Sequence, residues 1–180
     1  MQRNCFPTQQ RGLTLIEGCI ALAIVGILVG TAVPSLDGLL STRRLEGRAA
    51  ELAIDLRYVR SEAVARNEGV RVSFFNTAGG SCALIHTGAA ADCSCDSGGL
   101  AQCVNGAAAL KSTFYSAGSG TSLQANVASM RFDPSNGTVT PAATVRVVGA
   151  DGRAIQHVVN ILGRVRSCSP GGAVRGVKAC

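Results

Sequence analysis

An uncharged segment lies between Glu17 and Asp37, and its part from Cys19 to Val33 is almost wholly apolar. A helix of about 20 apolar residues is long enough to cross the hydrocarbon core of a bilayer. The rest of the chain mixes polar and apolar residues as a soluble domain does. The sequence therefore predicts one membrane-spanning helix over residues 13–36 and one domain outside the membrane.

The segment before this helix, residues 1–12, is polar and carries Arg3 and Arg11 but no acidic residue. A basic start before an apolar run is also typical of a secretory signal peptide. Here the apolar run is long, and Ala32-Val33-Pro34 matches a signal-peptidase site poorly. Composition alone leaves an uncleaved signal anchor as the simplest alternative.

The junction of the two segments has the sequence Arg11-Gly12-Leu13-Thr14-Leu15-Ile16-Glu17. It resembles the prepilin cleavage motif of type IV pilins and type II secretion pseudopilins, with Leu13 where members most often have Phe. The resemblance implies that a prepilin peptidase in the membrane cuts between Gly12 and Leu13 and methylates the new N-terminus. Residues 1–12 are then a leader.

Glu17 lies where the helix enters the apolar region, and an ionised carboxylate there needs a partner. The resemblance implies that this partner is the free N-terminal amine of a neighbouring subunit. Glu17 is therefore predicted to act in filament assembly. The alternative is a glutamate that only extends its carboxylate to the membrane interface.

A second, amphipathic helix segment is predicted over residues 37–68. Pro34 lacks a backbone N–H and should kink or interrupt the helix before this segment. Gly69 is predicted to end it in a left-handed cap. The charged side of the segment is interpreted as a solvated face without a binding role. Its apolar residues recur at helical spacing, at Leu45, Ala49, Leu52, Leu56, Val59 and Ala63.

Residues 69–180 change to a pattern of strands and turns, which predicts a β-rich head. Residues 88–109 are rich in small residues and are predicted to form a loop. Together with the helix, this pattern predicts an α+β fold in which a long N-terminal helix packs on an antiparallel sheet. The predicted strands are 70–74 with 82–86 as a hairpin, 129–132, and 144–148 with 154–159 as a second hairpin.

Three segments resemble the FimT/GspH family of minor pilins: residues 50–63, residues 130–137 and Gly163-Arg164-Val165-Arg166. The middle of the chain departs from that family, because it lacks a Trp-containing strand and has a cysteine-rich insert over residues 82–103. The resemblance implies a type IV pilin-like fold and partnership with other pilins or pseudopilins. FimT-like members belong to type IV pili, and some bind DNA in natural transformation; GspH-like members are minor pseudopilins of type II secretion.

The cysteines of the head are even in number, which predicts disulfides in the oxidising periplasm. Cys168 and Cys180 are predicted to pair and to hold the C-terminal tail against the sheet. A direct bond between Cys93 and Cys95 would be strained, so each is expected to join Cys82 or Cys103. The alternative of a zinc site over residues 92–96 is weak, because zinc motifs usually place two or more residues between paired cysteines.

The C-terminal segment, residues 152–180, contains basic residues and no acidic residue. Such a segment attracts phosphates, although it could also serve solubility or meet acidic lipids or an acidic neighbouring pilin. The Gly-Arg-x-Arg signature at residues 163–166 resembles that of FimT-like DNA binders and favours double-stranded DNA. The residues predicted to bind DNA are Arg153, Gly163, Arg164, Arg166, Arg175 and Lys178.

Catalytic motifs are missing from the sequence, which has only two histidines. We therefore predict a non-enzyme without a cofactor or metal. The predicted location is the bacterial inner membrane, with one span and the head in the periplasm, or the pilus after assembly. Two functions remain open: a DNA-binding minor pilin, which is favoured, and a structural minor pseudopilin.

The leader generates a direct prediction about processing. Mass analysis of the membrane-extracted protein should find a chain that starts at methylated Leu13. Gly12→Val should leave the precursor uncut, because the motif requires a small residue before the cleaved bond. A chain that starts near Ser35 would indicate ordinary secretion and would contradict the pilin interpretation.

Overall fold

The computed structural model describes Gly12 and residues 14–180, without the side chains of Val29 and residues 31–36. Two compact units divide the chain between Leu39 and Leu40. The predicted leader residues before Gly12, and Leu13 at the predicted cleavage site, lie outside the described residues. Gly12 itself is exposed.

Helix α1 spans Leu15–Arg66 and contributes to both units. In the first unit, the backbone N–H of Glu17 donates to Thr14 Oγ1 (3.4 Å), which satisfies one amide of the first turn. Of the two effects predicted for Pro34, a kink or an interruption, the interruption is wrong, because α1 is continuous through this position. A single missing hydrogen bond is outweighed by the helical turns on both sides.

The part of α1 in the first unit exposes large apolar side chains, including Leu15, Ile16, Leu22 and Ile27. In the part of the chain that the structure describes, no helix combines the length and hydropathy needed to cross a membrane.

The part of α1 in the second unit buries the face that its apolar spacing predicts. Leu45, Ala49, Leu52, Leu56, Val59 and Ala63 are all at most 2% exposed.

The helix ends at Arg66, and Asn67 rather than Gly69 adopts the left-handed conformation after it (φ 51°). Our prediction for Gly69 is therefore wrong. Asparagine tolerates this conformation, and Gly69 instead lies under the side chain of Arg131, where a Cβ would come within 2.3 Å of a guanidinium nitrogen.

The strands after α1 form three antiparallel sheets in the described residues, with the orders β5-β2-β1-β7-β8, β11-β10-β9-β6 and β3-β4. Their bounds are Val70–Thr77 (β1), Gly80–Thr87 (β2), Cys93–Cys95 (β3), Ala101–Cys103 (β4), Ala109–Ser116 (β5), Thr121–Ala125 (β6), Ser129–Phe132 (β7), Val139–Thr140 (β8), Ala143–Gly149 (β9), Ala154–Val159 (β10) and Val165–Cys168 (β11). This arrangement of a helix packed on antiparallel sheets confirms the predicted α+β fold.

Both predicted hairpins are present, as β1–β2 and β9–β10. The sequence did not predict β5, β6 or β11, which carry many polar or small residues. The prediction of a loop over residues 88–109 is wrong in part, because this segment contains the hairpin β3–β4. Its strands have only three residues each, too few to show an alternating pattern.

The main core cluster joins the buried face of α1 to both larger sheets. Val72 of β1, Phe132 of β7 and Val147 of β9 belong to this cluster and are at most 2% exposed. Tyr115 of β5 is completely buried in it, and the guanidinium of Arg48 lies 5.3 Å from the centre of its ring. This contact places a cation over the negative face of the ring.

Three disulfides tie short segments to this framework. Cys93–Cys103 joins opposite residues of β3 and β4, and Cys82–Cys95 attaches that hairpin to β2. Cys168–Cys180, the pair predicted for the tail, closes the C-terminus onto β11. Both cysteines within residues 92–96, Cys93 and Cys95, form disulfides. In the described residues, no cluster of three or more His, Cys, Asp or Glu could hold a metal ion.

The buried face of α1 generates a prediction about stability. Leu52→Ala should lower the free energy of unfolding by about 2–5 kcal/mol, because it leaves a cavity in the main core. Ile54→Ala is the matched control on the same helix: Ile54 is 62% exposed, so its truncation should cost less than about 0.5 kcal/mol. Denaturant unfolding of the detergent-solubilised full chain measures both. Equal losses would contradict the assigned helix face.

Candidate functional site

An open groove of about 900 Å³ lies in the second unit, where α1 faces the turn between β10 and β11. Four of the side chains that line it are arginines, and two of these belong to the predicted Gly-Arg-x-Arg motif. The lining residues are Arg57, Arg60, Ser61, Val64 and Ala65 of α1, Asn136 of the β7–β8 connection, and Gly163, Arg164, Val165 and Arg166.

The β10–β11 turn holds Arg164 at the start of the motif's strand. The Asn160 side-chain oxygen accepts a hydrogen bond from the backbone N–H of Arg164 (2.9 Å). The Gly163 N–H donates to the Asn160 carbonyl (2.9 Å), and Gly163 has φ 71°, a conformation that favours glycine. These bonds close the hairpin immediately before the two motif arginines.

Arg164 and Arg166 lie on the same side of the hairpin, as their alternation predicts. Val165, between them, pairs with Val159 and packs against the main core. Because the valine side chain points into the core, the two arginine side chains point outward, and both are exposed. Both of them line the groove.

Gly163 and Gly137 together leave room for the side chain of Arg60. A Cβ on Gly163 would lie 2.4 Å from the Gly137 carbonyl oxygen and 3.3 Å from Arg60 Cδ, and one on Gly137 would lie 2.7 Å from Arg60 Nε. The Arg60 side chain therefore lies across two glycines. Gly163, predicted as a DNA-binding residue, shapes the groove through this close packing and through its turn.

The arginines of the groove carry uncompensated positive charge. None of the four forms an ion pair with a carboxylate in the part of the chain that the structure describes. Four guanidinium groups without an acidic partner attract a polyanion strongly, since each offers a fork of N–H donors that matches phosphate oxygens.

The other residues predicted to bind DNA do not line this groove. Arg153 donates from Nε to an Asp151 carboxylate oxygen (2.7 Å) and from a terminal nitrogen to Ser41 Oγ (3.2 Å). These bonds to Arg153 hold the pKa of Asp151 below its usual range. Arg175 and Lys178 are exposed on the C-terminal tail.

The helix side of the groove was not predicted from the sequence. The sequence pattern presents the charged face of α1 as solvated, whereas Arg57 and Arg60 line the groove together with Arg164 and Arg166. Their spacing of three residues places them on one helix face, and this was the available signal. The turn of β10–β11 that meets this face is more than ninety residues away in the chain, beyond the reach of local patterns.

His157 of β10 lies near the groove and is 1% exposed. Its Nδ1 is 2.8 Å from Ser167 Oγ of β11, so it links the two strands of the hairpin. Burial lowers the pKa of His157 to about 4, and the positive charge of Arg57 acts in the same direction. The imidazole is therefore neutral at neutral pH.

The fold, a helix packed on antiparallel sheets with a disulfide-closed tail, defines a pilin-like protein. It is similar to two crystal structures of the type IV minor pilin FimU of Pseudomonas aeruginosa. One has a TM-score of 0.50, 20% identity, and covers 75% of this chain and 95% of that chain. The other, in a different crystal form, has a TM-score of 0.48 at 20% identity, with 74% and 98% covered.

The family model described as type II transport protein GspH matches residues 48–163, well over half of the chain. The chain belongs to this family and is a type IV minor pilin or pseudopilin. The family match includes Arg57, Arg60 and Gly163 and ends before Arg164.

A curated relative is the pilin-like protein PilA1 of Thermus thermophilus, 38% identical over 78 residues, which cover 42% of this chain. The chain spans 47% of the length of that relative, a little less than half.

The buried His157 generates a prediction about pH. Its pKa lies below that of an unfolded histidine, about 6.5. The contribution of neutral His157 to the free energy of unfolding is therefore complete above about pH 6.5. It falls by on the order of 3 kcal/mol as the pH is lowered toward about 4. His157→Gln should flatten this dependence in thermal unfolding measured from pH 7 to 4. Identical pH profiles for the variant and the parent would contradict this role of His157. His86, whose pKa burial also lowers, acts in the same direction in both proteins.

Proposed function

We propose that this chain is a minor type IV pilin that is incorporated into a pilus or primes one. We further propose that it binds double-stranded DNA without sequence preference during DNA uptake. The observation that carries the second part is the exposed pair Arg164 and Arg166, which line a groove and have no acidic partner in the described residues. This pair can form charge-assisted hydrogen bonds to phosphates.

Backbone phosphates are the ligand that this pair fits best. Contacts to phosphates position a protein on DNA but carry no base information. None of the residues that line the groove is aromatic. Base stacking, which usually depends on aromatic side chains, therefore contributes little. Binding should be weak, should tolerate any sequence and should fall steeply with salt, because it releases condensed counterions.

The N-terminal segment supports insertion into the bacterial inner membrane with the head in the periplasm. The described apolar side chains of α1 between Leu15 and Leu28 are exposed, as a surface that meets lipid would be. In this proposal a prepilin peptidase cuts after Gly12, and Glu17 pairs with the N-terminal amine of a neighbouring pilin. The three disulfides suit the oxidising periplasm.

The family and fold are those of structural pilins. We propose accordingly that the chain is not an enzyme and needs no cofactor.

A structural minor pseudopilin of a type II secretion system is the second candidate. The description of the matching family, a type II transport protein, favours it. In this case the arginines of the groove would meet an acidic surface of a neighbouring subunit. Genomic neighbours separate the candidates, since pilus and competence genes indicate the first and secretion genes the second.

A DNA-binding measurement on the detergent-solubilised full chain tests the favoured function. Arg164→Gln with Arg166→Gln should weaken binding to a short duplex and lower the slope of log affinity against log salt by about two. Arg43→Gln with Arg44→Gln removes the same charge elsewhere on α1 and should leave binding nearly unchanged. Arg175 and Lys178, outside the groove, should matter less than the motif pair.

Two outcomes would overturn the DNA role. One is a parent protein that does not bind duplex DNA at low salt. The other is an Arg164 and Arg166 double variant that binds as tightly as the Arg43 and Arg44 control. Either result would favour the structural pseudopilin.

A further inference from the structure

We infer that α1 supplies the second wall of the phosphate-binding site through Arg57 and Arg60, so that a single sugar-phosphate backbone lies in the groove between the helix and the β10–β11 turn. This inference rests on the proposed DNA binding and extends it. It assigns a ligand-binding role to a helix face that the sequence pattern presents as ordinary solvated surface.

The pairing of the helix arginines distinguishes this face from the rest of α1. In the second unit, Arg43 pairs with Glu46 (2.9 Å), Arg48 with Glu51 (2.9 Å) and Arg66 with Glu62 (2.5 Å). These pairs are three or four residues apart, the spacing that joins side chains on a helix surface. Arg44 donates to the carbonyl of Ser119 (3.4 Å).

Arg57 and Arg60 depart from this pattern, because neither has a carboxylate partner among the described residues. Asp55, two residues before Arg57, is buried and accepts hydrogen bonds from Lys111 and Thr113. Glu62, two residues after Arg60, pairs with Arg66. Arg43, Arg48 and Arg66 thus have a carboxylate beside them. Arg57 and Arg60 have none, and they line the groove with Arg164 and Arg166.

Two glycines leave room for the Arg60 side chain. Its side chain lies against Gly137 and Gly163, where an added Cβ would come within 2.7 Å of Arg60 Nε and 3.3 Å of Arg60 Cδ respectively. The glycine of the motif thus serves the helix side of the site as well as the turn.

The volume of the groove agrees with one strand of backbone better than with a whole duplex. A volume of about 900 Å³ is within the range of a site for a small ligand and is far too small for a duplex. In this inference one sugar-phosphate backbone occupies the groove, with arginines of α1 on one side and those of the motif on the other. The lining also includes the apolar residues Val64, Ala65 and Val165, whose side chains offer no hydrogen bond to a second row of phosphates.

Salt-dependent binding of the full chain to a short random-sequence duplex tests the inference. Arg57→Gln with Arg60→Gln should lower the salt slope by about two, as the loss of two phosphate contacts requires. Between about 50 and 200 mM salt, a parent with four contacts should lose affinity by on the order of 100-fold, and the variant by only about 10-fold. Arg57→Lys with Arg60→Lys, which keeps both charges, should retain most of the parent's slope.

Arg43→Gln with Arg66→Gln is the matched control, because both residues are exposed arginines of α1 with acidic partners. It should bind as the parent does. Thermal unfolding of each variant confirms that the fold is intact, which is expected because all four residues are exposed.

The outcomes separate this inference from the function on which it rests. If Arg164→Gln with Arg166→Gln weakens binding but the Arg57 and Arg60 variant matches its control, the helix wall is refuted and DNA binding stands. If the parent binds no DNA at low salt, both are refuted. Equal losses from the two groove variants support a two-walled site.

Discussion

The packing of α1 into the main core is the interaction on which the rest of the head depends. A helix that buries Leu52, Leu56 and Val59 has its rotation about its own axis fixed, because these residues share one face. The same rotation determines where the charged side chains of the helix lie relative to the sheets. Arg57 and Arg60 each follow a buried residue by one position, so they emerge at the margin of the helix–sheet contact, where the β10–β11 turn meets it. The charged groove is thus a consequence of core packing.

This dependence explains how much of the fold the sequence could predict. The buried helix face and the strands rich in Val, Ile, Leu and Phe have strong periodic patterns, and the structure contains them. β6, with the sequence Thr-Ser-Leu-Gln-Ala, lacks such a pattern and is specified by its pairing with β9. The hairpin β3–β4 is specified by covalent bonds, since its disulfides hold a second small cluster with Leu84 and Phe114 over the sheet. Tertiary pairing and cross-links of this kind leave no local periodicity to detect.

The site was predictable to a similar degree. Arg164 and Arg166 belong to a short motif on an alternating segment, and both line the groove. The absence of acidic residues from residues 152–180 was a poorer guide to which basic residues line the groove. This acid-free segment includes Arg153, but Asp151 lies just outside it and neutralises that guanidinium. To predict that Arg57 and Arg60 line the groove, one would need to know which helix arginines have acidic partners three or four residues away and which do not. That distinction is visible in a sequence only once the buried face of the helix is known.

The C-terminal tail fixes the end of the strand that carries Arg166. β11 is an edge strand, and an edge strand exposes unpaired backbone groups that invite association with another chain. Here the tail covers part of that edge: Ser169 is buried, its N–H donates to the Lys178 carbonyl (2.8 Å), and Cys180 is bonded to Cys168. Val174 of the tail is itself buried in the main core. The strand that carries Arg166 is therefore fixed at both ends, by the Gly163 turn and by the closed tail. The backbone of Arg166 is thus positioned beside the groove by covalent and hydrogen bonds, in a head that has few aromatic residues.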